Sequence, residues 1–269
     1  MIRKKLTEVE KQKPYADYYD KPSAVIPASV LEDIKSKSCQ PEDILLFENI
    51  NDLLLPGYLP IENGHCRLSD GSFFVAVRTE LIDVTSEMVN WWFDWHPKEP
   101  LRYRIWYPES HFDISVELNQ NTDPNHLPYW YATHYPVEDI GLGKEKLSIH
   151  FVPPAEFGFD IARFDEAKIG TVICGFVGSV TRNINQHTCM CHLVRRISLG
   201  LEIRSRFWIG NDIQLEGFFG SSIIEHIVNT KMIKKLILPA KTGEMMVLHC
   251  AQEYNNLALI LPELYRMYG

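Results

Sequence analysis

Residues Gly243–Gly269 read GEMMVLHCAQEYNNLALILPELYRMYG, and the fold turns on how this stretch is read. It is an apolar helical run with a break or kink expected at Pro262. His249 and Glu253 lie four apart, so an imidazole and a carboxylate share one helix face. Leu257, Ala258, Leu259, Ile260 and Leu261 leave little polar surface beside them, which predicts a buried helix. Burying a carboxylate is costly unless a charge or a metal compensates it. The spacing therefore raises a metal site, although a satisfied His–Glu hydrogen bond or a solvated helix face is the commoner meaning of such a pair.

Working back from that helix, the chain is rich in strands. FFVAVRTELI from Phe73, LRYRIWY from Leu101, FDISVEL from Phe112, KLSIHFV from Lys146, GTVICGFVG from Gly170, HTCMCHLVRR from His187 and LEIRSRFWIG from Leu201 all read as strands. One aromatic helix follows Thr85, a plausible cap, and Pro97 ends it. Ser221 to Lys235 reads as helical. Residues 1–60 read as an irregular arm followed by short helices, over Ala28 to Lys37 and from Pro41 to Leu54, leaving 61–269 as the main domain. Strands in a run followed by terminal helices mean α+β rather than alternating α/β. A curved antiparallel sheet around the long carboxy-terminal helix satisfies that order and encloses a pocket facing His249 and Glu253.

At 269 residues, the chain is long enough for a sizeable core and a ligand cavity. Aromatics make up 12%, which suits a flat apolar ligand or simply a well-packed core. The net charge of −8 argues against a nucleic-acid or anionic-membrane partner. No run of about 18 apolar residues spans a membrane, and the first residues lack the apolar segment of a secretory signal. Six cysteines form no CxxC pair, which argues against a structural zinc knuckle, and the lack of a secretory signal makes reduced thiols in a cytoplasmic protein the expectation. GxSxG, HExxH and P-loop signatures are absent.

Of ten histidines, three stand out. His111 opens a predicted strand, His192 shares a strand face with Met190 and Val194 rather than with Cys191 and Leu193, and His249 is helical. Glu138 sits at a strand end before Gly141. Spacing alone does not assemble them.

WWFDWHP from Trp91, YRIWYPESH from Tyr103, VEDIG from Val137, PAEFGFD from Pro154, CHLVRR ending at Arg196, RSRFWIG ending at Gly210, and HCAQEYNNLALILPELY from His249 occur in one order. Together they resemble the diacetylphloroglucinol hydrolase family, which includes phloretin hydrolases, from about Pro60 onwards. The resemblance implies a Bet v1-like helix-grip domain with a small helical amino-terminal part that contributes to a homodimer. It also implies a Zn²⁺-dependent hydrolase that cleaves the carbon–carbon bond between an acyl group and a phloroglucinol ring, so that its partner is a small aromatic ketone. The implied metal ligands are His111, Glu138, His249 and Glu253, with Glu156 as the alternative to Glu138. The implied catalytic groups are His192, as acid–base residue with an ordinary pKa near 6.5, and Tyr103. Phe207 and Ile114 stand where the family pattern leads us to expect a tyrosine and an asparagine, and these two, with Trp92, Trp95 and Trp106, are candidates for the pocket wall or the core. Phe207 favours phloretin, with its bulkier acyl group, over 2,4-diacetylphloroglucinol. The competing readings are a non-catalytic carrier of apolar ligands and a zinc hydrolase of another activated aryl ketone.

Overall fold

A computed structural model describes residues 3–36, 39–118, 126–215 and 221–269. Eight strands form one antiparallel sheet: β1 Gly64–Arg67, β2 Phe73–Ile82, β3 His111–Glu117, β4 Thr133–Glu138, β5 Glu145–Phe151, β6 Ile169–Ser179, β7 Ile184–Ile197 and β8 Gly200–Leu215, in the order β1-β2-β8-β7-β6-β5-β4-β3. The terminal helix, Thr242–Tyr268, packs against β1 and β2 and lies under the sheet's inner face. A sheet curled around a long carboxy-terminal helix is the α+β helix-grip arrangement expected.

The period-two alternation of the strands sorts their side chains between two cores. On β7, Met190 and Val194 join the inner core while Cys189, Cys191 and Leu193 join the outer one. On β8, Phe207 and Ile209 point inward and Trp208 outward. The terminal helix fills the inner core with Val247, Cys250, Ala251, Tyr254, Leu257 and Leu261. The outer core is capped by Phe47–Leu54, a 3₁₀ helix within the helical stretch expected from Pro41 to Leu54, through Ile50, Leu53 and Leu54. Tyr15, Tyr18 and Tyr19 of the amino-terminal arm enter the inner core.

Four expectations are corrected. LRYRIWY is not a strand: Pro100 opens a short helix, Pro100–Arg104, with proline at a first-turn position. Its apparent alternation misleads because Arg104 is wholly buried, paired with Glu10 and lying over the ring of Tyr19. Pro262 does not interrupt the terminal helix, which runs on to Tyr268 with Leu257, Leu261 and Leu264 packed on either side of it. Ser221 to Lys235 divides into Ser221–Val228 and Lys231–Ile237. Finally, the cysteines are not all reduced: Cys39 and Cys66 form a disulfide with Cα atoms 5.5 Å apart, and the other four are free and buried. The aromatic helix is as expected, Ser86–Trp95 with Thr85 accepting from the Met88 amide.

A buried ion cluster fastens the amino-terminal segment to the outer face of β8. Glu62 accepts from Arg204 at 3.1 Å through one oxygen, and that same oxygen accepts from Arg206 at 2.6 Å. Burial alone would raise the Glu62 carboxyl, but the two guanidiniums outweigh it and hold the group at about 2. The folded-state value lies below the unfolded one, so the cluster's contribution is complete above about pH 4.5 and is lost as pH falls towards 2. Glu62→Ala leaves two buried cations unbalanced and is expected to cost about 3–5 kcal/mol in urea unfolding at neutral pH; a loss below about 1 kcal/mol would show the cluster to be incidental.

Candidate metal centre and cavity

The inner face of the sheet and the terminal helix enclose a cavity of about 560 Å³, within the roughly 300–1,000 Å³ of small-molecule sites. Ring and aliphatic side chains dominate its wall, among them Phe93, Trp106, Ile114, Phe151 and Phe207. Trp92 and Trp95 do not line it; Trp92 packs on His96, and Trp95 stacks between Trp91 and Tyr268.

At one side of the cavity, His111, Glu138 and His249 bring ligand atoms within 4.8 Å of one another. The local structure explains why. His111 and Glu138 are cross-strand partners at the ends of β3 and β4, and the terminal helix lays His249 over them. One turn further along that helix, a Glu253 oxygen lies 3.6 Å from His111 Nε2 and 3.7 Å from His249 Nε2. Three of the four expected ligands therefore meet, and the fourth, Glu253, lies against both histidines. Glu156 is exposed and accepts from the Tyr131 hydroxyl, so it is not the alternative to Glu138.

Both imidazoles are held in one tautomer. His111 Nδ1 lies 3.2 Å from the Tyr103 carbonyl, which can only accept, so Nδ1 carries the proton and Nε2 offers a lone pair. The Ser110 hydroxyl donates to the Asp139 carbonyl, so its oxygen accepts from His249 Nδ1 at 3.1 Å. That again leaves Nε2 free to bind. Such partners orient metal-bound histidines and fix their basicity. Tyr103 stacks flat on His111, with ring centroids 4.0 Å apart, and donates to Glu138 at 2.6 Å.

Burial dominates the electrostatics of the cluster. Burial, then the charge of Glu138, pushes the Glu253 carboxyl well above its usual range. Burial also raises Glu138, opposed by the Tyr103 hydroxyl. Burial lowers His249 to about 4 and, with His249 beside it, holds His111 far below its ordinary value. Among the described residues no Lys or Arg pairs with either carboxylate. His111 Nε2 is buried without a hydrogen-bond partner. Two neutral imidazoles and two carboxylates around an orphaned lone pair fit a divalent cation of the zinc type.

His192 faces the same cavity from the middle of β7, with Nδ1 2.7 Å from the Ser205 hydroxyl oxygen. Its expected pKa near 6.5 is corrected: burial pushes it down to about 3, so the ring is neutral in the resting protein. Sequence reading missed three groups here. Ser110 is hidden by its place next to His111, with no spacing signal of its own. His134 was visible in principle, because alternation from Glu138 puts Pro136 and His134 on the same cavity face, as observed. His96, at the end of the aromatic helix, gave no such signal.

The model of the DAPG hydrolase PhiG domain matches residues 45–266. The chain belongs to this family. The phloretin hydrolase of Eubacterium ramulus is 33% identical over 274 residues, covering 96% of this chain and 91% of that protein. Within the same family, the 2,4-diacetylphloroglucinol hydrolase of Pseudomonas protegens is 28% identical over 265 residues, covering 96% and 86%. Among solved structures, the Zhui aromatase/cyclase from Streptomyces sp. R1128 aligns over 72% of this chain and 94% of its own at 12% identity and a TM-score of 0.37. That superposition is partial, and the helix-grip description stands on this chain's own sheet and helix.

Ser110→Ala removes the acceptor that fixes the His249 tautomer. Metal affinity by competition with a chelator is expected to fall about 10–100-fold with the fold intact; unchanged affinity would show that the serine does not set the ligand.

Proposed function

We propose that the protein is a Zn²⁺-dependent hydrolase of acylphloroglucinols, cleaving the bond between the acyl carbon and the ring. The observation that carries this is the meeting of His111, Glu138 and His249, with Glu253 beside both histidines and, among the described residues, no balancing cationic side chain, at one side of an apolar cavity. Membership of a family that includes hydrolases named for phloretin and 2,4-diacetylphloroglucinol supports it. Those four residues would hold the metal, which supplies Lewis acidity towards the acyl carbonyl and its attacking water.

The remaining chemistry belongs to the chain. The neutral His192 first acts as a proton acceptor, taking a proton from the attacking water as its oxygen bonds to the acyl carbon. The carbon–carbon bond then breaks with its electron pair passing to the ring carbon. That carbon takes the proton back from His192, giving a free phloroglucinol and a carboxylic acid. Three hydroxyls make the ring a competent carbon leaving group because they stabilise charge at the acyl-bearing position. Tyr103 holds Glu138 in place and borders the reacting carbonyl. A non-catalytic carrier has no use for two uncompensated carboxylates in its cavity.

Phloretin is the favoured substrate, giving phloroglucinol and 3-(4-hydroxyphenyl)propionate. Phe207 and Ile114 present apolar faces to the cavity, and Leu142, Ile184, Ile213 and Leu238 extend its apolar wall, which suits an aryl-bearing acyl chain. The same reading includes a homodimer, for which exposed Val9, Val25, Leu46 and Leu55 of the amino-terminal segment offer surface; mass in solution checks it. A cytoplasmic location accords with the lack, among the described residues, of a helix long and apolar enough to cross a membrane. The Cys39–Cys66 bridge argues the other way, and thiol counting in freshly isolated protein decides.

Purified protein is expected to contain about one zinc per chain and to cleave phloretin faster than 2,4-diacetylphloroglucinol, read by product identity. Glu253→Ala is expected to lose the zinc, and His192→Ala to keep it while turnover falls by about 10²–10⁴. Full activity of metal-free protein, or of both variants, would sink the proposal.

A further inference from the structure

Beyond the metal ligands, the cavity holds two more buried imidazoles that the reaction above does not use. His96 caps the aromatic helix, and His134 lies on β4; both are buried, at 2% and 3% exposure, and both line the cavity. Their ring centroids are 5.8 Å apart. His96 also lies beside Tyr103, at 5.9 Å, and Tyr103 stacks on the buried His111, so Tyr103, His96 and His134 follow one another along the wall away from the metal site.

His96 is rigid and of known tautomer. Its Nδ1 is 2.7 Å from the Trp92 carbonyl, an obligate acceptor, so Nδ1 donates and Nε2 is left as a bare acceptor. Trp92, Phe93 and Trp106 surround the ring at 5.2–5.4 Å. Within the described residues no side chain or backbone group bonds to His96 Nε2 or to either nitrogen of His134. Burial, and for His96 the neighbouring His134, keeps both rings neutral; His134 is held at about 3. A neutral imidazole with its other nitrogen committed cannot give a hydrogen bond; it can only receive one.

We propose that His96, together with His134, forms the subsite that recognises the ring hydroxyls of the substrate, with His96 Nε2 accepting a hydrogen bond from a phenolic O–H. The ligand class is a polyhydroxylated arene with free hydroxyls. An ether in the same position brings a second acceptor against the first and is rejected, because the buried nitrogen then loses water without gaining a partner. The wall also gives the substrate an orientation, with the acyl carbonyl at Tyr103, beside Glu138 and Glu253, and the hydroxylated ring continuing towards His96 and His134. This inference rests on the proposed reaction for the identity of the ring, but its test reads binding alone.

Calorimetric titration of the full-length zinc-loaded protein with phloroglucinol and with 1,3,5-trimethoxybenzene separates the possibilities. The wild type is expected to bind phloroglucinol at least about tenfold more tightly than the trimethyl ether. His96→Phe and His134→Phe are each expected to weaken phloroglucinol by about tenfold with zinc content unchanged. His96→Gln, which keeps both a donor for Trp92 and an acceptor for the ring, restores most of the affinity. Should His96→Phe fail to fold, His134→Phe and His96→Gln carry the comparison. Equal binding of the two arenes by the wild type, or wild-type affinity in either phenylalanine variant, overturns the proposal. Tight phloroglucinol binding without cleavage of any acylphloroglucinol would instead overturn the proposed reaction and leave the subsite standing.

Discussion

Two carboxylates and two imidazoles meet at one side of an apolar cavity with, among the described residues, no ammonium or guanidinium to balance them, and the surrounding elements are arranged around that imbalance. Glu138 comes from the sheet and Glu253 from the helix, so the charge of Glu138 opposes that of Glu253 where helix and sheet meet. Burial adds to it, since a lone buried carboxylate costs several kcal/mol. A divalent cation held there would reverse the sign of the interaction and would clasp β3, β4 and the terminal helix together.

The supports of this site are backbone carbonyls and one serine. Tyr103 and Asp139 contribute their carbonyl groups, one directly to His111 and the other through Ser110 to His249. The tautomers are thus set by main-chain geometry at the short helix and the β4 end. Tyr103 takes part three times over: its carbonyl orients His111, its ring stacks on that imidazole, and its hydroxyl holds Glu138. The short helix of Pro100–Arg104, misread as a strand from its alternation, is what makes this possible, because a strand at Tyr103 would not bring carbonyl, ring and hydroxyl to the same place.

Much of the architecture was legible from periodicity. The helical spacing of His249 and Glu253 put both on one face, and the alternation of β7 put His192 inward with Met190 and Val194. What could not be read was anything that depends on distant chain segments meeting. The burial of Arg104 is one such case, since its partner, Glu10, is ninety-four residues away. Cys39 and Cys66 carried no pairing motif. The strand β4 was hidden by Pro136 and by its shortness, although Glu138 was placed at a strand end. The pKa of His192 belongs to the same class, since an imidazole's ordinary value says nothing of how deeply a sheet will bury it.

Strand β8 has two faces, and each has a different task. Outward, Arg204 and Arg206 grip Glu62; inward, the residue between them, Ser205, meets His192. The strand works as a plate bolted from behind. A change made only to the outer charges would travel no further than one peptide before it altered where His192 points, so a site with no access to substrate would register in turnover. The outer charges and the inner hydroxyl thus sit on neighbouring residues of one short stretch, holding the fold on one side and the imidazole on the other.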